Sequence, residues 1–194
     1  MEKNLRERKK SQLRQTILDA AAQEFKTRGF ANTSVSNIMQ TADLGVGTFY
    51  NYFNSKEEVL MNLVKNLFTQ VEEKIHAQEE KIFSSRELLQ TACEDTAELI
   101  DDNRFILPLL STAVVHSDKP ELSQKNLSPG VKKIFDEIIL RGQERKEIRA
   151  DIHFELISEL FHSIYQAAAF SKLQIPFKEN VRLKVKILLD GICK

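Results

Sequence analysis

The chain of 194 residues reads as all-α, with a small three-helix head joined by a long helix to a larger helical body. Three observations predict this. Apolar residues recur at spacings of three and four over most of the length. All four prolines lie at or after Pro108, so the head and the long helix contain no proline break. No stretch alternates apolar and polar with the period of two that a half-buried strand requires. With 42% hydrophobic and 29% charged residues the composition is that of a folded globular chain. A chain of this size buries roughly 70% of its exposable surface on folding, enough for a sizeable core.

The first helix carries Leu13, Ile17, Ala20/Ala21 and Phe25 on one face and stops at Gly29, the residue type that ends helices in a left-handed conformation. Ser34 is an N-cap for a second helix over 35–42, with Val35, Ile38, Met39 and Ala42 inward. Asp43-Leu44-Gly45 reads as a tight turn, since Asp tolerates the left-handed region better than most residues. A third helix is expected over 46–53, burying Phe49 and Phe53. Ser55 and Glu58 form a capping box that opens a long fourth helix, whose stripe of Val59, Leu60, Leu63, Val64, Leu67, Phe68, Val71, Ile75 and Ile82 runs to about residue 83. Further helices are expected at about 86–102, 104–116, 131–145, 152–172 and 177–193, with the loosest connection at Pro120 and Pro129-Gly130. The 152–172 helix is apolar on two faces: Phe154, Ile157, Phe161, Ile164, Tyr165 and Ala168 on one, Ile152, Leu156, Ser163, Ala167 and Phe170 on the other, about 130° away. Such a helix is either central to its own chain or packed on a second chain. The final helix has a stripe of Val181, Val185, Leu188, Leu189 and Ile192.

Several functional classes fall away. Cys93 and Cys193 are one distant pair with neither a metal-ligand spacing nor a disulfide framework. The basic start has no apolar segment after it, so it does not read as a signal peptide, and the most apolar run, 105–110, is far too short to span a membrane. A cytoplasmic protein is expected. The net charge is zero, but residues 1–56 hold nine basic against five acidic side chains and the remaining residues carry the compensating excess of acid. A basic head on an acidic body points the head at a polyanion.

Two short helices joined by a tight turn have the geometry of a helix-turn-helix, in which the second helix enters the major groove of DNA. Small α-domains often contain short helix pairs; the surface of the second helix is what distinguishes this one. With Phe49 and Phe53 in the core, it exposes Val46, Gly47, Thr48, Tyr50, Asn51 and Tyr52, with no charge and with two of the chain's three tyrosines. A solvated face carries Lys and Glu; this one suits phosphates and base edges. Gly47 permits close backbone approach at the helix start.

Residues 13–60 resemble the DNA-binding domain of the TetR family of transcriptional regulators, through Ile17-Leu18-Asp19-Ala20-Ala21, Phe25, Gly29-Phe30, Thr33-Ser34-Val35, Ile38, Ala42, the run Gly45-Val46-Gly47-Thr48-Phe49-Tyr50-Asn51-Tyr52-Phe53, and Ser55-Lys56-Glu57. The resemblance implies a DNA-binding domain over 11–71, with its motif at about 34–53, and a regulatory and dimerisation domain over 72–194. It implies that Thr33 and Ser34 touch the phosphate backbone, that Gly45, Val46, Gly47, Thr48, Tyr50, Asn51 and Tyr52 form the contact face, and that Lys56 pairs with a phosphate. The last two helices would form the interface of a homodimer, with Leu156, Ser163, Ala167, Phe170, Val185, Leu188 and Ile192 as candidates. The sequence departs from the family where many members place Lys or Arg and this chain has Val46, which removes the commonest reader of guanine and leaves Val46 to meet a thymine methyl or nothing.

The function expected is a ligand-responsive repressor that binds a palindromic operator and is released by a small-molecule effector. By the same analogy the body holds an effector pocket, with Phe68, Phe105, Leu109, Phe135, Ile139, Phe161 and Tyr165 as candidate lining; each is also plain core. No cofactor or metal, and no enzymatic activity, is expected. The competing enzyme reading rests on two Glu-x-x-His pairs, Glu73/His76 and Glu159/His162, of the kind that hold di-iron centres in helical bundles. Glu73, His76 and Glu159 fall on faces turned away from the apolar stripes. His116-Ser117-Asp118 is consecutive, which is not a catalytic arrangement. A helical scaffold without DNA binding leaves the uncharged Tyr/Asn/Thr face unexplained.

Overall fold

The computed structural model describes residues 2–79, 84–110 and 129–193. Eight α-helices are found there: α1 Glu2–Arg28, α2 Val35–Thr41, α3 Val46–Phe49, α4 Lys56–Glu79, α5 Ser85–Asp102, α6 Pro129–Glu144, α7 Phe154–Ala169 and α8 Phe177–Ile192. Among the described residues the only β pairing is an isolated antiparallel bridge between Ile148 and Cys193. The chain divides into two compact units, Met1–Lys65 and Asn66–Lys194, the division falling inside α4.

In the first unit α1 packs on α2 and α2 on α3 around buried Ile17, Leu18, Phe25, Ile38, Met39, Phe49 and Phe53. Helix α1 ends as its sequence dictates: Gly29 takes φ +76° and donates its N–H to the Phe25 carbonyl at 3.0 Å. It starts much earlier than its apolar stripe, at Glu2, because Glu, Lys, Arg and Gln extend a helix without any hydrophobic face to announce it. Ser34 caps α2 by accepting the Asn37 N–H at 3.1 Å while the Asn37 Oδ1 accepts the Ser34 N–H at 3.0 Å. At the start of α4 the box is offset. Ser55 Oγ accepts the Glu58 N–H at 3.2 Å, but the Glu58 carboxylate accepts the Asn54 N–H at 2.7 Å instead of returning to Ser55.

In the second unit α8 packs on α5 and α7, and α6 on α5 and α7, over a core that includes Leu89, Cys93, Phe135, Ile139, Phe161 and Leu189. Two expectations change here. The helix expected over 104–116 is instead a 3-10 helix, Arg104–Leu110; residues 111–116 lie outside the described residues. So do Ile82 and the end expected for the long helix, His116-Ser117-Asp118 and Pro120. Helix α7 is shorter than 152–172, with His153 as its N-cap and Phe170 as its C-cap.

Candidate nucleic-acid interface

The turn between α2 and α3 is held by Asp43 in the left-handed region (φ 54°), with the Leu44 N–H bonded to the Met39 carbonyl at 2.9 Å. This fixes where α3 starts. The helix expected over 46–53 is only Val46–Phe49; Tyr50 to Tyr52 form a turn tightened by the Tyr52 N–H on the Phe49 carbonyl at 2.9 Å. Tyr and Asn are weak helix formers, and Gly47 weakens the helix further, so one turn forms and the rest tightens.

Phe49 and Phe53 are buried with ring centroids 5.8 Å apart, and the Tyr50 ring stands with its edge on Phe49 at 5.4 Å. Outward lie Val46, 45% exposed, Tyr50, 62% exposed, and Asn51, with Thr48 and Tyr52 half-buried. Neither tyrosine hydroxyl and no Asn51 side-chain atom has a hydrogen-bond partner among the described residues. A Cβ added at Gly45 or Gly47 would meet nothing within 4 Å, and neither has positive φ. Gly45 is the N-cap of α3, where glycine is well tolerated, but the fold gives no reason for glycine at Gly47, inside the helix, where it costs about 0.5–1 kcal/mol against alanine. The bare backbone suits something that comes close from outside the chain. We predict that Gly47→Ala raises the melting temperature of the head and weakens its binding to DNA, a pair of opposite signs that thermal denaturation and a titration with duplex will read.

Thr33 and Lys56, expected to touch phosphate, brace the head in the chain by itself. Thr33 is buried and its hydroxyl donates to the carbonyls of Gly29 (2.9 Å) and Glu24 (3.3 Å), tying down the end of α1. The Lys56 ammonium donates to the carbonyls of Phe30 (3.0 Å) and Thr33 (2.9 Å) and stands 4.6 Å over the Phe30 ring. Two of its three donors are committed to the loop that carries Ser34. Ser34 stays exposed, with its hydroxyl on Asn37 Oδ1 at 2.6 Å. Lys56→Met is expected to destabilise the head by about 2 kcal/mol, because bonds to a charged donor are worth about 1.5–3 kcal/mol. It should weaken binding on every sequence while leaving the salt slope of binding unchanged, whereas a lost phosphate contact flattens that slope.

Glu24 closes the unit: its carboxylate accepts the Thr41 hydroxyl at 2.7 Å and pairs with Arg28 at 2.8 Å.

In the body, Phe105, Phe135, Ile139, Phe161 and Tyr165 are buried and Phe68 is half-buried; the Leu109 side chain lies outside the described residues. Phe135 and Phe161 pack at 5.6 Å, and the Tyr165 hydroxyl reaches the Cys93 carbonyl at 3.4 Å. Burial pushes the Cys93 thiol up to about 12 and the Tyr165 phenol well above its ordinary range, so both are neutral. The buried ones pack in the interior of the body, and a groove of about 360 Å³ lined from α4 and α5 contains none of the seven. Glu73, His76 and Glu159 are exposed, and no three His, Cys, Asp or Glu side chains converge among the described residues.

Helix α7 buries Ile157, Phe161, Ile164, Tyr165 and Ala168 and leaves its second stripe, Leu156, Ser163, Ala167 and Phe170, in the open. Leu160 belongs to the same open row. On α8 the candidate interface residues Val185 and Ile192 are buried in the chain's own core, and Leu188 is half-buried. The outward apolar side chains of α8 are Leu183 and Ile187, which an i, i+4 pair opposite the main stripe announces. No helix among the described residues is long and apolar enough to cross a membrane.

The profile of the bacterial regulatory proteins of the tetR family matches residues 17–63, the stretch from mid-α1 into α4. The fatty acid metabolism regulator protein of Bacillus subtilis is 26% identical over 147 residues, covering 74% of this chain and 75% of that protein. The transcriptional repressor DhaR of a Mycobacterium species is 24% identical over 163 residues, covering 80% of each. In fold, the chain superposes on Bacillus subtilis FadR in complex with stearoyl-CoA with a TM-score of 0.76, at 22% identity and covering 92% of this chain and 98% of that one. A helix-turn-helix with an uncharged outer face lies inside the stretch that matches this profile, so residues 17–63 form a DNA-binding head of the tetR type, in a chain similar over most of its length to bacterial transcriptional regulators.

Proposed function

We propose that the chain is a repressor that binds a palindromic operator as a homodimer, in the cytoplasm, and is released by an acyl-CoA thioester. The observation that carries the reading is the outer face of α3 and its following turn: Val46, Tyr50 and Asn51 are exposed and uncharged, with no side-chain hydrogen-bond partner among the described residues, above the buried Phe49 and Phe53. In this reading Val46, Tyr50, Asn51 and Tyr52 meet base edges and Gly45, Gly47, Thr48 and Ser34 lie against the backbone. Thr33 and Lys56 set the loop in place. The head spans 11–71 and the regulatory body 72–194. Val46→Ala is expected to change preference at a single operator position, the one whose thymine methyl it covers.

The second copy docks through the open faces of α7 and α8. Of the nine large hydrophobic side chains exposed among the described residues, six (Leu156, Leu160, Phe170, Leu173, Leu183 and Ile187) lie on or between these helices. The effector class follows from likeness: the FadR proteins of Bacillus subtilis and Thermus thermophilus are described with stearoyl-CoA and lauroyl-CoA, and the body's apolar, aromatic interior suits an acyl chain.

Release needs an effector that binds one conformation of the body better than the other. The test selects fragments of the source genome on the full chain and titrates the complex with stearoyl-CoA, free stearate and coenzyme A. Specific fragments released by the thioester alone are the expected result. No fragment selected overturns the operator reading; fragments that no thioester releases overturn only the effector class.

A further inference from the structure

Helix α1 continues to Glu2, well beyond the last residue it buries in the head. Between residues 6 and 14 it carries five basic side chains, Arg6, Arg8, Lys9, Lys10 and Arg14, against one acidic, Glu7. Arg6, Arg8, Lys9 and Lys10 are exposed, and none has an ion-pair or hydrogen-bond partner among the described residues. Elsewhere the surface cations are largely paired, as in Lys74–Asp95, Arg141–Glu79 and Arg182–Glu179. The phase of the helix sorts these five. Arg6, Lys10 and Arg14 follow at intervals of four and fall within about 80° of one another, while Lys9 lies about 100° and Arg8 about 160° from the middle of that row. Ile17 and Ala21, both fully buried, lie on that same side. The face that packs the head is thus continued, past the end of the core, by a row of cations.

Arg14 ties this row to the reading element. Its guanidinium stacks 4.9 Å over the ring of Phe53, the residue after the Tyr50–Tyr52 turn, and donates to Asn62 Oδ1 at 2.5 Å. Resting on the proposed operator binding, we propose that Arg6 and Lys10 grip the phosphate backbone of the duplex just outside the half-site that α3 reads. An unpaired cationic row excludes an apolar partner, and a polyanion already lies against this unit in that reading. The spacing suits one strand: four residues rise about 6 Å along the helix, close to two phosphate steps of about 3.4 Å each along the duplex axis. Side chains held on a helix also lose less freedom on binding than those of a disordered tail.

The experiment uses the full chain and a genomic fragment that the wild type selects, and compares Arg6→Gln/Lys10→Gln with Arg8→Gln/Lys9→Gln and with Tyr50→Ala. Helix content is checked by circular dichroism. Arg6→Gln/Lys10→Gln is expected to flatten the slope of log K against log salt by about 2 per head, at about 0.9 for each phosphate contact. It should also erase hydroxyl-radical protection flanking the half-site, while Arg8→Gln/Lys9→Gln keeps the protection and most of the slope. A wild-type slope and footprint in Arg6→Gln/Lys10→Gln overturns the proposal, and so does an equal loss in Arg8→Gln/Lys9→Gln, which means diffuse charge. Reduced binding to phosphatidylserine vesicles with the footprint unchanged overturns it in favour of a membrane surface. If Tyr50→Ala abolishes binding and Arg6→Gln/Lys10→Gln is silent, only this proposal falls. If Tyr50→Ala is silent too, the operator reading falls with it.

Discussion

Tyr50→Ala is expected to weaken operator binding by between about thirtyfold and 10⁴-fold while leaving the chain folded. The upper part of the side chain is free: Tyr50 is 62% exposed, its hydroxyl has no partner among the described residues, and only a ring edge rests on Phe49. Surface truncations of this kind change stability by within about 0.5 kcal/mol. In the complex each head loses a base-edge contact worth about 1–3 kcal/mol, and a two-fold dimer loses it twice, about 2–6 kcal/mol in all. Anisotropy titrations at one salt concentration read the loss, and Tyr50→Phe separates ring from hydroxyl. If the hydroxyl reads a base, Tyr50→Phe loses discrimination at one operator position and keeps the salt slope. If it holds a phosphate, all sequences weaken together. Affinity unchanged in Tyr50→Ala would remove α3 from the operator altogether.

Much of the head was legible because its determinants are local. Gly29 and Asp43 mark left-handed positions that few other residues tolerate, and both sit in that conformation. Ser34 caps the helix that its spacing predicts. Phe49 and Phe53, four residues apart, share the inward side, and Tyr50, about 100° round from Phe49, faces outward. What was not legible depends on partners distant in sequence or on the lack of a pattern. The polar start of α1 has no periodicity to read. Lys56 finds its carbonyls 26 and 23 residues upstream, which no spacing rule relates to it. Thr33 looks like a free hydroxyl in sequence and is buried under the end of α1. On α8 the apolar stripe shows that a face is buried, not what buries it. Val185 and Ile192 turn into their own chain, and the lone Leu183 and Ile187 carry the outward face.

Ile187 is therefore where the dimer is most open to attack. It is 74% exposed, more than any other large hydrophobic side chain exposed among the described residues, so Ile187→Glu asks nothing of the fold of a single chain. Glutamate is also the better helix former. In an isologous interface the change is made twice about one axis. Each copy forfeits about 1.5–3 kcal/mol of apolar burial and brings in a carboxylate whose desolvation costs several kcal/mol more. The total exceeds about 6 kcal/mol, more than a ten-thousandfold shift in the dimer's dissociation constant. Ile187→Glu should sediment as a monomer at micromolar concentration with its helical signal intact. Val185→Glu, at a position only 1% exposed, should lose the helical signal instead. The DNA readout separates assembly from recognition: on a two-half-site fragment Ile187→Glu loses most of its affinity, because two heads no longer share one binding event. On a single half-site the variant and the wild type bind alike, since the reading face on α3 is untouched. A variant that stays dimeric, or that fails equally on both fragments, places the interface elsewhere than on the open faces of α7 and α8.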